Sequence, residues 1–131
     1  MAPFARPKKP LRESKLALVT TGGVHLPKQP RFDIDDPAGD CSYREIPTGA
    51  QELTWTHAYH RPDEGSDLDA VFPLWTLRGL AEEGFVGGLS PRHFSFMGAT
   101  HETAPLRERT APEVAGKLVE DGADAVLLTP S

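Results

Sequence analysis

The stretch Leu16-Ala-Leu-Val-Thr-Thr-Gly-Gly23 decides the fold class. A short apolar run with β-branched residues that passes directly into paired glycines reads as a buried strand ending in a Gly-rich loop. Further along, Asp69 precedes Ala70-Val-Phe-Pro-Leu-Trp-Thr-Leu-Arg-Gly-Leu-Ala-Glu-Glu83, where Val71, Leu74, Trp75, Leu77 and Leu80 fall at helical spacing. Pro73 is tolerated only in a first turn, so the spacing predicts an amphipathic helix of about three turns. It begins near Phe72 and is stopped by Gly84, with Trp75, Leu77 and Leu80 in the core. Phe85-Val-Gly87 reads as a second, short strand, after which Gly88 to Arg92 turn into His93-Phe-Ser-Phe-Met97.

Thr110, with Glu113 three residues on and Pro112 near the first helical position, reads as the N-cap of a helix carrying Val114, Ala115, Leu118 and Val119. Gly122 ends it, and Ala125-Val-Leu-Leu-Thr129 follows as an apolar strand of the kind expected in the middle of a sheet. Strand, helix, strand, helix, strand predicts an α/β fold: a partial, open, mainly parallel sheet with flanking helices and long irregular loops. The longest loop runs from Val24 to about Thr54, without a sustained period and broken by Pro27, Pro30, Pro37, Pro47, Gly39 and Gly49. A connection of that length is usually functional or disordered.

Composition narrows the function classes. The chain has 131 residues, a net charge of -5, twelve glycines and thirteen prolines, which suits one loop-rich domain. The only dense positive stretch is Arg6, Lys8, Lys9, Arg12 and Lys15, interrupted by Pro7 and Pro10. Residues 1–15 therefore read as a basic, Pro-rich arm ahead of an α/β unit over residues 16–131, and nucleic acid is not an expected partner. No apolar run approaches the roughly 20 residues of a membrane span, and no secretory core follows the arm, so a cytoplasmic protein is expected. Cys41 is the only cysteine, which excludes an internal disulfide or a multi-cysteine metal site within this chain. His57 and His60 stand three apart, but no third ligand has recognisable spacing and His101 has no assigned place, so no metal is expected.

Ala17-Leu-Val-Thr-Thr-Gly-Gly-Val-His-Leu26, Gly39-Asp-Cys-Ser-Tyr-Arg-Glu-Ile-Pro47, Val71-Phe-Pro-Leu74, Pro91-Arg-His-Phe-Ser-Phe-Met-Gly98 and Asp121-Gly-Ala-Asp-Ala-Val-Leu-Leu-Thr-Pro130 occur in this order. Together they resemble the selenoprotein B family of glycine, sarcosine, betaine and D-proline reductases. The resemblance implies an oxidoreductase subunit that cleaves a C–N bond reductively in a small amine or amino-acid-derived substrate, with a disulfide as acceptor. It further implies an oligomeric assembly, a pyruvoyl-containing partner subunit and a thiol or selenol carrier protein. No cofactor is expected on this chain itself. The family carries its nucleophile, a selenocysteine or cysteine, directly after a strand like Leu127-Leu-Thr-Pro130, so here it is expected just after Ser131. A UGA codon read as stop, a truncation and a degenerate gene copy remain open readings of that position. A non-catalytic subunit that binds a partner through the sheet edge after Val126-Leu-Leu128 is the alternative function.

In an open α/β sheet, reactive side chains gather beyond the C-terminal ends of the strands. His25, in the loop after the first strand, is the candidate general acid to a leaving amine; the competing reading is a histidine that pins the loop. Asp40, Tyr43, Arg44 and Glu45 bring together two acids, a phenol and a guanidinium. Arg44 suits a substrate carboxylate and Tyr43 stands beside it as a second binding candidate, against a structural ion-pair network. Arg92 and His93, beside Ser95, are candidates for lining the same edge, against a structural role. Cys41 lies in the long loop and reads as an incidental or redox-sensitive thiol. Thr20-Thr-Gly-Gly23 lacks the pattern of a phosphate-binding loop.

Overall fold

A computed structural model describes residues 5–56, 68–98 and 100–130. Strand β1, Lys15–Thr20, is the axis of the sheet. It pairs in parallel with β7, Ala125–Thr129, in unbroken register from Leu16 opposite Ala125 to Thr20 opposite Thr129. On its other side it meets β5, Gly88–Leu89, through Lys15 and Leu16, and β6, Arg92–Phe96, through Val19 and Thr20, both parallel. β3, Tyr43–Pro47, closes that side by pairing antiparallel with β6. The spatial order is therefore β3, then β6 with β5, then β1, then β7, which is the mainly parallel α/β sheet expected from the sequence. β2, Val24–His25, and β4, Thr54–Trp55, form a separate antiparallel pair.

Helices cover both faces. Leu16, Leu18 and Ile46 pack against Phe72, Leu74, Leu77 and Val86 from the segment of α1, Leu68–Val71, and α2, Leu74–Glu82. On the opposite face Phe94 and Phe96 pack against Val114 of α3, Ala111–Glu120, with Val19, Tyr43, Leu106 and Leu118 alongside. The basic arm is tied down at its end: Leu11–Glu13 forms a 3-10 turn, the Leu11 carbonyl accepts from the Gly87 amide, and Lys9 reaches Asp124.

Several local expectations are corrected. Pro73 stands at the start of α2, close to the beginning expected near Phe72, and the new element is the short α1 ahead of it, which Pro73 keeps separate because it has no amide to donate and its ring crowds the preceding turn. Trp75, expected in the core, is 42% exposed, whereas Leu77 is buried. The second strand lies at Gly88–Leu89 and not at 85–87; Phe85 is 60% exposed and only Val86 turns inward. Thr110 is not an N-cap: it has helical dihedrals and closes a π-helical turn, Leu106–Thr110, that runs straight into α3. A wider turn there accommodates Pro112, whose missing amide would otherwise interrupt the ladder. β3 lies inside the segment read as irregular, and the helix-stopping roles of Gly84 and Gly122 are borne out by their positive φ of 84° and 75°. β7 is the largest departure. It occupies an edge, not the middle, of the sheet.

The β5–β6 line is interrupted at Ser90-Pro91, which leaves the Leu18 amide of β1 facing no strand carbonyl. The ring of His93 replaces it, with Nδ1 accepting from the Leu18 amide at 2.8 Å. Thr48 Oγ1 donates its proton to the Ser90 carbonyl and accepts from His93 Nε2–H at 2.7 Å. Both ring nitrogens are thus satisfied only in the neutral form. Burial lowers the His93 pKa to about 4 against a smaller upward pull from Asp121. The folded state therefore resists a proton that the unfolded chain accepts near pH 6.5, so stability is full above that pH and is lost on descending toward pH 4. Urea unfolding should give about 2 kcal/mol less stability at pH 5 than at pH 7. A flat profile over that interval would contradict this role for His93.

Candidate functional site

The C-terminal ends of β1, β6 and β7 meet around the Thr20–Gly23 loop. Thr20 Oγ1 donates to the Thr129 carbonyl at 3.0 Å and accepts from the Gly22 amide at 3.0 Å, while the Thr21 amide also donates to Thr129. These bonds hold the end of β7 against the first loop. Gly23 then takes φ +69° and donates to the Phe96 carbonyl, and its own carbonyl accepts from the Thr56 amide. A Cβ at this position would stand 1.9 Å from the Thr56 carbonyl oxygen, so only glycine fits. The result is that β2 and β4 stand beyond the end of β1, with His25 in β2 and Thr56 directly after β4.

His25 is 2% exposed. Its Nδ1 lies 2.8 Å from the Leu26 carbonyl, which can only accept, so Nδ1 carries the proton and Nε2 accepts from the Thr56 hydroxyl at 3.0 Å. Thr56 Oγ1 in turn receives Arg31 Nε–H at 3.5 Å. His25, Arg31, Trp55 and Thr56 line a cavity of about 450 Å³ with Pro27 and Thr54. A second cavity of about 540 Å³, lined by Leu53, Phe72 and Trp75 among others, shares Pro27 with it. Among the described residues Arg31 makes no ion pair with a carboxylate. The arrangement supplies a tautomer-locked imidazole, a hydroxyl aligned on it, an aromatic wall and one cationic fork.

The other candidates are divided between the two faces of the sheet, because adjacent strand residues point to opposite sides. Arg44 and His93 share the α2 face; Tyr43 and Arg92 share the α3 face. Arg44 donates to the carbonyls of Pro30, Arg31 and Tyr43 and to Ser42 Oγ, and its guanidinium lies 4.3 Å above the Phe32 ring. Phe32 meets the His25 ring edge-on, so Arg44 stands behind the cavity's lining, touching it through Phe32 and the Arg31 carbonyl. Burial alone would raise the Asp40 pKa, but hydrogen bonds from the Ser42 side chain and the Asp33 and Ser42 amides, aided by Arg44, hold it below the usual range.

On the far face Tyr43 Oη donates to Glu113, and Arg92 pairs with Asp121 at 2.8 Å, Glu45 at 3.3 Å and Glu120 at 3.5 Å. A hydrogen bond from Lys117 is the main cause that lowers the Glu45 pKa. This network joins β3 and β6 to α3. Cys41 accepts from Arg109 at 3.6 Å, away from the cavity's lining. His57, His60 and Ser131 lie outside the described residues, and among the described residues no three metal-ligating side chains cluster. No helix of the described residues is long and apolar enough to cross a membrane.

Sequence reasoning missed Arg31, Trp55 and Thr56. The alternation Leu53-Thr-Trp-Thr56 was the one available signal of β4, and nothing in the sequence links Arg31 to it.

The entire chain, residues 1–131, matches the family described as glycine/sarcosine/betaine reductase selenoprotein B. The chain belongs to that family. It is 40% identical over 124 residues to D-proline reductase subunit gamma of Acetoanaerobium sticklandii, a match covering 92% of this chain and 50% of that protein. It is 32% identical over 127 residues to the glycine reductase complex component B subunit gamma of Peptoclostridium acidaminophilum, covering 92% of this chain and 28% of that subunit. The betaine reductase complex component B subunit beta of the same organism is 28% identical over 138 residues, covering 96% and 30%. The chain thus spans half or less of the length of these relatives. No solved structure matches it significantly.

Replacing Gly23 with Ala forces both a disfavoured dihedral and a backbone collision, and should cost at least about 2 kcal/mol. Urea denaturation checks this; a loss under about 0.5 kcal/mol would contradict the close approach.

Proposed function

We propose that this chain is the scaffold part of a reductase subunit that cleaves a C–N bond reductively in a small amine or amino-acid-derived substrate, a dithiol supplying the two electrons and leaving as the disulfide that is the acceptor of the reverse reaction. The observation that carries the reading is the bonding of Thr129 to Thr20 and Thr21 at the sheet edge. His25 follows Thr21 by four residues, so it lies within about 14 Å of that point along the chain. A selenocysteine or cysteine just after Ser131 would supply the nucleophile that displaces the amine, and it would emerge beside the His25 cavity. That nucleophile is supplied by neither this chain nor Cys41. A partner subunit bearing a pyruvoyl group and a thiol or selenol carrier belong to the same reading.

Within it, Arg31 receives the substrate carboxylate, since it faces the cavity without a carboxylate partner among the described residues. His25 and Thr56 form the proton path: after Nε2 takes a proton from water and the Thr56 hydroxyl turns outward, Nε2–H donates to Thr56 Oγ1 as that hydroxyl passes its own proton to the leaving nitrogen, which returns the ring to its neutral form. The Trp55 ring supports a cationic amine by its face. Arg44, Tyr43, Arg92 and His93 act as positioning groups, their donors being spent on the loop, the sheet and α3. A second reading, a truncated or degenerate subunit acting only through partner binding, is favoured by the uncovered apolar residues of β7.

Amine-dependent thiol oxidation separates the two. A form extended through the family's nucleophile segment should be active and the 131-residue form inactive; equal activity in both would contradict the scaffold reading. In the extended form Arg31→Ala should raise KM at least about tenfold with partial recovery in Arg31→Lys. An unchanged KM would remove Arg31 from the site.

A further inference from the structure

The inner side of β7 is fully paired, yet its outer side has no strand among the described residues. Its three central side chains are exposed, and they lie on both faces. Val126 and Leu128 share the α3 face and Leu127 the α2 face, with exposures of 39%, 71% and 39%, whereas Ala17 and Leu18, opposite Val126 and Leu127 in β1, are fully buried and Val19, opposite Leu128, is half-buried. The helical cover therefore stops between β1 and β7. Val119, near the end of the helix that leads into β7, is also 79% exposed. Soluble proteins protect such an edge with charge, proline or a bulge, and Ala125–Thr129 contains none of these. An uncharged edge strand that is apolar on both faces is built as an interior strand.

We propose that the outer edge of β7 is paired by a strand from a polypeptide equivalent to the half of D-proline reductase subunit gamma that this chain does not match, with flanking helices covering Val126, Leu127 and Leu128. Three observations select that occupant. The relative is about twice as long as the matched region, so a comparable mass of the family fold lies outside it. Cover is missing on both faces, which calls for a layered α/β unit and not for a single bound peptide. A second copy of this chain would bring only another β7 to the edge, adding a strand without the helices that both faces lack. The inference rests on the scaffold reading but requires no catalysis.

Strand alternation makes the test position-specific. Because the Thr129 carbonyl turns inward to Thr21, the amides of Val126 and Leu128 turn outward and that of Leu127 inward. The full 131-residue chain is co-expressed with the unmatched half of D-proline reductase subunit gamma, and amide hydrogen exchange is followed with and without it. Exchange at Val126 and Leu128 should slow at least about tenfold in the complex, with Leu127 already slow in the chain alone. Leu128→Pro removes only an outward amide and should keep the far-UV spectrum and urea midpoint of the chain while weakening the complex at least about tenfold. Failure to form a complex, a homodimer that protects the same amides, or protection confined to other elements would each overturn the proposal. Complex formation without reductase activity would leave it standing and count against the catalytic reading instead.

Discussion

The imidazole of His93 completes a ladder that backbone alone cannot. Ser90-Pro91 interrupts the strand beside β1, and Pro91 has no amide with which to repair it. His93 reaches across to the Leu18 amide while its other nitrogen binds Thr48, so one ring joins β1, β6 and the turn after β3. Because β1 is the strand on which both sides of the sheet are built, the placement of Thr20, and through it of the first loop, depends on that ring. This work needs a neutral imidazole, which is incompatible with a histidine that carries protons to and from substrate.

That constraint separates scaffold from site. The polar residues of β3 and β6 are spent on cohesion: Arg44 staples the 30–42 loop and stacks on Phe32, and Arg92 holds the α3 terminus through Asp121. The chemistry-bearing groups with room around them lie instead on the small β2–β4 pair, placed past the sheet edge by the turn at Gly23. His25 and Thr56 are held to each other across that pair, and Arg31 joins them from the following loop. The site proposed for this chain is thus carried by an appendage, with the large sheet serving to set where that appendage stands relative to the end of β7.

Much of this frame was legible in the residues. The apolar runs of β1 and β7, the helical spacing of Leu74, Leu77 and Leu80, and the stopping glycines all act locally, and local signals survive into the fold. β3 was hidden because one buried residue, Ile46, and a terminal proline leave no alternation to read; its pairing with β6 decides it. Trp75 sat at core spacing, but the break at Pro73 resets the phase of the helix and gives the deepest place to Phe72. Tyr43 with Arg44 and Arg92 with His93 are neighbours in sequence but not in space, because a strand sends adjacent side chains to opposite faces. The apolarity of β7 was read correctly; its place at an edge depends on what pairs with it, which no local pattern encodes.

The end of β7 and the His25–Thr56–Arg31 cavity occupy one edge of the sheet. A spin label on Pro130→Cys, in a Cys41→Ser background, tests it directly through distance-dependent broadening of NMR signals. The account predicts strong broadening of the His25 ring and the Trp55 indole, with Gly88 and Leu89 at the opposite end of β1 unaffected. Broadening at Gly88 and Leu89 with sharp His25 and Trp55 signals would contradict it.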